Sequence, residues 1–401
     1  VLAYEDLDLR IQADGDGFKV FARLGSQTVS EPFDLDPSLS WNLWELAKSN
    51  PREVDNRGSV LFDALIRGGV RDLYQRGRGA SGTDAAKGLR IRIQIDPRDE
   101  RLRPFVRLPW EILFDRSADI NRALALDARR PIVRMIDSIE QPLDPAPGPI
   151  ERVLLASAQP VDTIHLSLKH ERTAVESILK RNPNPIQPKM VEHATRVSLR
   201  DAILDERPQI VHFMGHGAFA VDGEGVLLLE DAKRKKDPLH ASTLAGFFVG
   251  RAMPQLVILT SCLTGIPGQG STFAPFSSVA AALIAAGLPA VIAMQSKVLD
   301  ANAISFTESI YRGVLRSEPV EAAISAARVA LHVEDRRSVD WATPVLFVRA
   351  RGGGVLEMKS PEPLLPKPPP PPESPARAIH APKGIVIFDS KIETINQGDK
   401  S

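Results

Sequence analysis

From residue 151 onward the chain repeats one pattern, a short apolar run followed by a segment of helical periodicity. The runs are 153–156, 189–191, 209–214, 256–260, 290–294 and 345–348, and the intervening helical stretches include 166–179, a helix from Leu199, 280–286, 304–315 and 320–331. Strands that are apolar throughout must be covered on both faces, and the helical connections between them are long enough for parallel crossovers. The pattern predicts an α/β fold, a mainly parallel sheet sandwiched by helices.

The first 150 residues read as a smaller α+β domain in front of that core. Alternation through Leu7, Leu9 and Ile11, a turn at 14–17 and alternation through Phe18, Val20, Ala22 and Leu24 predict a hairpin. Residues 41–47 and 60–75 have helical spacing, 89–95 and 131–135 read as strands, and 108–113 is a short apolar segment containing Trp110, read as a packing anchor. A Pro-rich stretch at 142–149 marks the expected boundary. Thus 1–150 and 151–350 are expected as two folded domains. Much of the chain's content of 33 prolines falls at 361–382, which predicts an extended spacer within a 351–383 linker. Beyond it, 384–401 is a β-prone tail, with the run Ile385, Val386, Ile387, Phe388 fit to add as a strand to a partner.

Charge excludes some classes of function. The 50 Lys and Arg balance 50 Asp and Glu, so no global basic field gathers nucleic acid or an anionic membrane, and neither is expected as a partner. A single cysteine cannot form an internal disulfide, which points to a reducing, cytoplasmic compartment and leaves its thiol for chemistry.

That thiol lies in one of two matching segments. Residues 211–217 end in Gly215-His216-Gly217, and 257–265 contain Ser261-Cys262 with Gly265 behind. Ligands bind outside the carboxyl ends of parallel strands, so His216 and Cys262 would face one crevice if the two strands are neighbours. A His able to take the thiol proton makes a strong nucleophile. The backbone N–H groups of Gly217 and Cys262 are the natural oxyanion donors, and glycine at 215 and 217 lets a substrate backbone approach. His212 lies within its strand and reads as structural. His212 and His216 sit about 13 Å apart along a strand, too far for one zinc ion with Cys262, so neither a metal site nor a cofactor is expected. Ser261 lacks a hydrolase elbow's glycines. The basic run 233–236 reads as a solvated loop.

Residues 213–217 and 259–265, with 108–114 upstream, Asp300 and Tyr311, and Trp341-Ala342-Thr343-Pro344, together resemble the CHAT domain, a caspase-like family of cysteine peptidases related to separases. The resemblance covers about residues 150–350 and, less specifically, the preceding 100 residues. It implies a caspase-haemoglobinase fold, His216 as general base, Cys262 as nucleophile and Gly217 in the oxyanion hole. It further implies an endopeptidase of a bacterial signalling or defence system that cleaves a partner protein such as a co-encoded effector. Asp300 opens a helix and reads as its N-cap, but its position resembles the acid by which separases hold an arginine, implying cleavage after a basic residue. Asp222, Glu224, Glu230 and Asp231 are competing acids. The tetratricopeptide helices of many relatives are missing, with no 34-residue repeat in the sequence. Two rival readings stand beside the peptidase: a non-catalytic scaffold whose tail recruits partners, including an upstream sensor, and a redox sensor acting through Cys262.

Overall fold

The computed structural model describes residues 2–35, 43–46, 50–96, 98–117, 122–136, 150–166, 168–248, 253–260, 275–295, 300–349, 379–380 and 386–387. The chain divides into two units, 1–360 and 361–401.

The first unit begins with three antiparallel strands, β1 (Ala3–Asp14), β2 (Gly17–Leu24) and β3 (Gln27–Phe33). The expected hairpin is β1–β2, its turn eased by Gly15 at φ +55°. A short α1 (Leu43–Leu46) precedes α2 (Pro51–Leu65) and α3 (Gly68–Gly82). The single periodic stretch expected at 60–75 is therefore two helices. The break falls where Arg67 is extended and Gly68 takes φ +48°, a left-handed conformation that glycine adopts at little cost. A Cβ at residue 68 would also collide with the Glu31 carboxylate, which accepts the Gly69 N–H.

Strand β4 (Lys87–Ile95), helix α4 (Arg103–Val106) and β5 (Ile132–Ile136) complete the amino-terminal part. The alternating core follows as β6 (Val153–Ser157), α5 (Leu168–Arg181), β7 (Lys189–Val191), α6 (Arg196–Glu206) and β8 (Ile210–Met214). Strands β9 (His216–Phe219), β10 (Gly225–Glu230) and β11 (Lys236–His240) come next, then α7 (Ala241–Ala245), β12 (Leu256–Thr260) and α8 (Pro275–Ala285). Strand β13 (Ala290–Met294), helices α9 (Asp300–Leu315) and α10 (Val320–Glu334), and β14 (Pro344–Arg349) close the unit.

Eleven of these strands form one sheet in the order β3-β2-β1-β4-β5-β14-β13-β12-β8-β6-β7. The sheet runs across the expected domain boundary, because β5 pairs in parallel with β14. Every pairing from β13 to β7 is parallel, whereas β14 is antiparallel to β13. Strands β1, β4, β5 and β14 thus run against β6, β7, β8, β12 and β13. The carboxyl ends of β8, β12 and β13 and the start of β14 share one edge. The mainly parallel α/β architecture is as expected; between β8 and α7 the chain forms a separate three-stranded antiparallel sheet, β9-β10-β11.

Strand alternation divides the core into two layers. Val211, Phe213, Val257, Leu259, Val291 and Ala293 pack with α6, α7 and α8 residues such as Ile203, Leu244 and Leu283. On the opposite face Ile210, Met214, Ile258 and Ile292 pack with Val175, Phe306, Tyr311 and Ala327 from α5, α9 and α10. In the second unit, β15 (Ile379–His380) and β16 (Val386–Ile387) pair antiparallel, Ile379 opposite Ile387.

One buried ion pair ties the amino-terminal part to the site edge. Glu111, in the 3-10 turn Trp110–Ile112, receives Arg134 of β5 through Nε at 3.1 Å and Nη2 at 2.6 Å. Arg134 also donates to the Val106 and Leu108 carbonyls and to Gln295 Oε1. Trp110, beside Glu111, is fully buried and donates its indole N–H to the Phe105 carbonyl. Glu111→Ala, which strands a buried guanidinium, should cost about 3–5 kcal/mol, read as a lower urea midpoint. Asp96→Ala, which breaks the exposed Arg98 pair, should cost under about 1 kcal/mol.

Candidate active site

The two matching segments are brought together. Strands β8 and β12 are adjacent and parallel, with Met214 opposite Thr260. His216 and Cys262 each lie two residues beyond that pair. Cys262 itself falls outside the described residues, and so does the side chain of Asp300, the first residue of α9.

His216 opens β9 and is fully buried. Its Nε2 lies 2.9 Å from the Ile164 carbonyl, so Nε2 carries a proton and donates it there. Nδ1 is then the basic atom of the ring. Gln159 fixes this carbonyl's loop: its side-chain amide donates to Ile164 O at 3.0 Å and Thr163 Oγ1 at 3.1 Å, and its Oε1 accepts the Leu166 N–H. Burial holds the His216 imidazole below its ordinary pKa of 6.5, opposed by the bond to Ile164. A buried neutral imidazole is the form a general base requires.

Gly215 is required by packing. A Cβ there would lie 2.8 Å from the Phe213 ring and 2.9 Å from the Ala158 carbonyl. The Gly215 N–H bonds the Thr260 carbonyl at 3.3 Å, fastening the turn before His216 to the end of β12. Gly217 is the second residue of β9, opposite Leu227 of β10.

The competing acids are largely engaged. Glu230 is buried and accepts from the Gln159 N–H, the His193 ring and Arg234. Asp231 caps its turn by accepting the Lys233 and Lys235 N–H groups, within an exposed 231–236 segment. Among the described residues, Asp222, Glu224 and His240 bring potential ligand atoms within 4.8 Å of one another. Glu224 is already committed there to the Ser242 N–H and to His240 Nδ1–H, bonds that hold its carboxyl below the usual range against the opposing effect of burial. A cavity of about 400 Å³ lies over β4, β5 and β14, lined by Ile95, Ile136, Phe347, Arg107 and Asp222 among others. His216 does not line it.

The CHAT domain profile matches residues 56–349, and the chain belongs to the CHAT-domain family. No curated protein sequence matches it. Among solved structures it is similar to the Arg-specific cysteine proteinase gingipain R of Porphyromonas gingivalis, at 11% identity and TM-score 0.43, covering 74% of this chain and 73% of that one. It is also similar to Saccharomyces cerevisiae separase in its securin complex, at 12% identity and TM-score 0.38, covering 70% of this chain but 17% of separase. Caspase-1 of Spodoptera frugiperda matches at 8% identity and TM-score 0.32, over 56% of this chain and 95% of that one. No described helix is long and apolar enough to cross a membrane.

The lowered His216 pKa sets a pH dependence. The neutral, proton-accepting ring persists below pH 6.5 until the folded pKa is reached, so the acid limb of Cys262 alkylation by iodoacetamide should lie below 6.5. A pH–rate profile measures it, and a limb at or above 6.5 contradicts the assignment.

Proposed function

We propose that the chain is a cysteine endopeptidase in which His216 is the general base and Cys262 the nucleophile. The observation that carries the reading is the parallel pairing of β8 with β12, Met214 opposite Thr260, which starts both reactive segments from the same level of the sheet edge. The His216 ring held through Nε2 by Ile164 supports it. His216 Nδ1 takes the thiol proton, and the thiolate sulfur attacks the scissile carbonyl, forming a C–S bond as the carbonyl π pair moves to oxygen. The N–H groups of Gly217 and Cys262 receive that oxyanion. Collapse breaks the C–N bond, and the imidazolium gives its proton to the departing amine. Water, deprotonated by His216, then attacks the thioester and releases the carboxylate product and the thiol.

In this reading Cys262→Ala and His216→Ala each abolish cleavage of a co-expressed protein substrate, while far-UV circular dichroism stays as in the parent. Cleavage by either variant would end it. Iodoacetamide labelling that does not depend on His216 would favour the scaffold reading. Asp300, at the start of the helix after β13, supplies the carboxylate that selects Arg or Lys before the cleaved bond. Asp300→Ala should lower the Arg/Ala preference in a peptide panel at least tenfold; an unchanged ratio would return Asp300 to helix capping.

A further inference from the structure

The peptidase reading leaves unused a buried polar cluster directly behind the site edge. His212 is fully buried on β8, on the face covered by α5 and α9. Its Nε2 lies 2.8 Å from Thr260 Oγ1 and 3.4 Å from Glu171 Oε1 of α5. The Tyr311 hydroxyl of α9 lies 3.4 Å from Nδ1, and Thr307 of α9 donates to Glu171 at 2.7 Å. Burial, reinforced by the Glu171 charge, pushes the Tyr311 phenol far up, so it keeps its proton and donates to Nδ1. Those partners assign His212 as the Nε2–H tautomer, with Nε2–H pointing at Thr260. Glu171, Thr260 and Thr307 are all buried.

Thr260 is the last residue of β12, two before Cys262. Its side chain is held by His212 and its carbonyl by the Gly215 N–H. The two bonds clamp the end of the nucleophile strand to the strand and turn that present His216. Through Glu171 the same cluster reaches α5, which directly follows the 159–166 loop whose Ile164 carbonyl orients His216. The imidazole thus meets the end of β12 through Thr260 and α5 through Glu171, and the turn before His216 joins them through the Thr260 carbonyl.

We propose that His212, acting through Thr260, is a positioning residue that sets the register of Cys262 against His216. The proposal rests on the peptidase reading. Because Cys262 is the sole cysteine, iodoacetamide alkylation reports on it alone. Thr260→Val keeps the shape of the side chain and removes its hydroxyl. It should slow alkylation at neutral pH at least tenfold and move the profile toward that of an ordinary thiol, near about 8.5. Thr260→Ser, which restores the hydroxyl, should recover the rate to within about threefold of the parent. A merely structural role would lower the melting temperature in Thr260→Val and leave the pH profile of the folded protein in place, and that result overturns the proposal. So does failure of Thr260→Ser to rescue. If Thr260→Val does not fold, Tyr311→Phe decides, with slower alkylation supporting the cluster and a parental rate overturning it. Loss of His216-dependent alkylation in the parent chain itself would instead remove the peptidase reading, and the proposal with it.

Discussion

The Glu111–Arg134 pair is the constraint on which the site edge depends. A lone buried charge costs several kcal/mol, and this pair is tolerated because its polar atoms are widely shared. Arg134 spends its donors on Glu111, Gln295 and two carbonyls, while Gln295 donates to Glu111 at 2.7 Å and to the Ala342 carbonyl at 2.8 Å. Four segments remote in sequence, at 106–111, 134, 295 and 342, thereby fix one another. Two of these lie in segments 108–114 and 341–344, and the knot anchors the end of β13 shortly before Asp300. Arg328, fully buried nearby, donates to the Pro344 carbonyl at the start of β14 through Nε and Nη2, and burial pushes its guanidinium down to about 10.

Two histidines four residues apart show how environment divides labour on one strand and its continuation. Both rings are buried. His212 lies within β8, enclosed by side-chain hydroxyls and a carboxylate from three elements. His216 lies past the strand end, where Nε2 is pinned by a backbone carbonyl. The first arrangement joins three elements through side chains, and the second ties a ring to a loop carbonyl.

Much of the parallel core was legible in the sequence because strands buried on both faces must be apolar throughout, as at 256–260 and 290–294. The apolar runs at 210–214 and 256–260 could be read as strands for the same reason, while their adjacency stayed a condition that the structure meets. Strand direction has no such signature, so the antiparallel step between β13 and β14 was invisible, and with it the continuity of the sheet. Edge strand β3, with Pro32 and exposed polar residues, carries no clear alternation and drew no expectation. The β9–β11 sheet was hidden by glycines at 215, 217, 223 and 225 and by the charges of 231–236, all of which read as turn signals. Gly68 and Gly69 did mark the α2–α3 break, though apolar residues on either side masked it. The Ile164 carbonyl could not have been found, since a backbone acceptor leaves no trace in residue identity.

The place of β14 in the strand order bears on how the chain matures. Among the described residues, strands β1 to β5 reach the rest of the sheet only through β14, the last strand of the first unit to be synthesised. Until it is made, the growing chain holds two half-sheets with unpaired edges, and the residues of the Glu111 knot have no shared frame. Contacts of such long sequence separation are entropically costly and form late. A protein built this way completes the edge shared by β8, β12, β13 and β14 only after nearly all of the first unit exists.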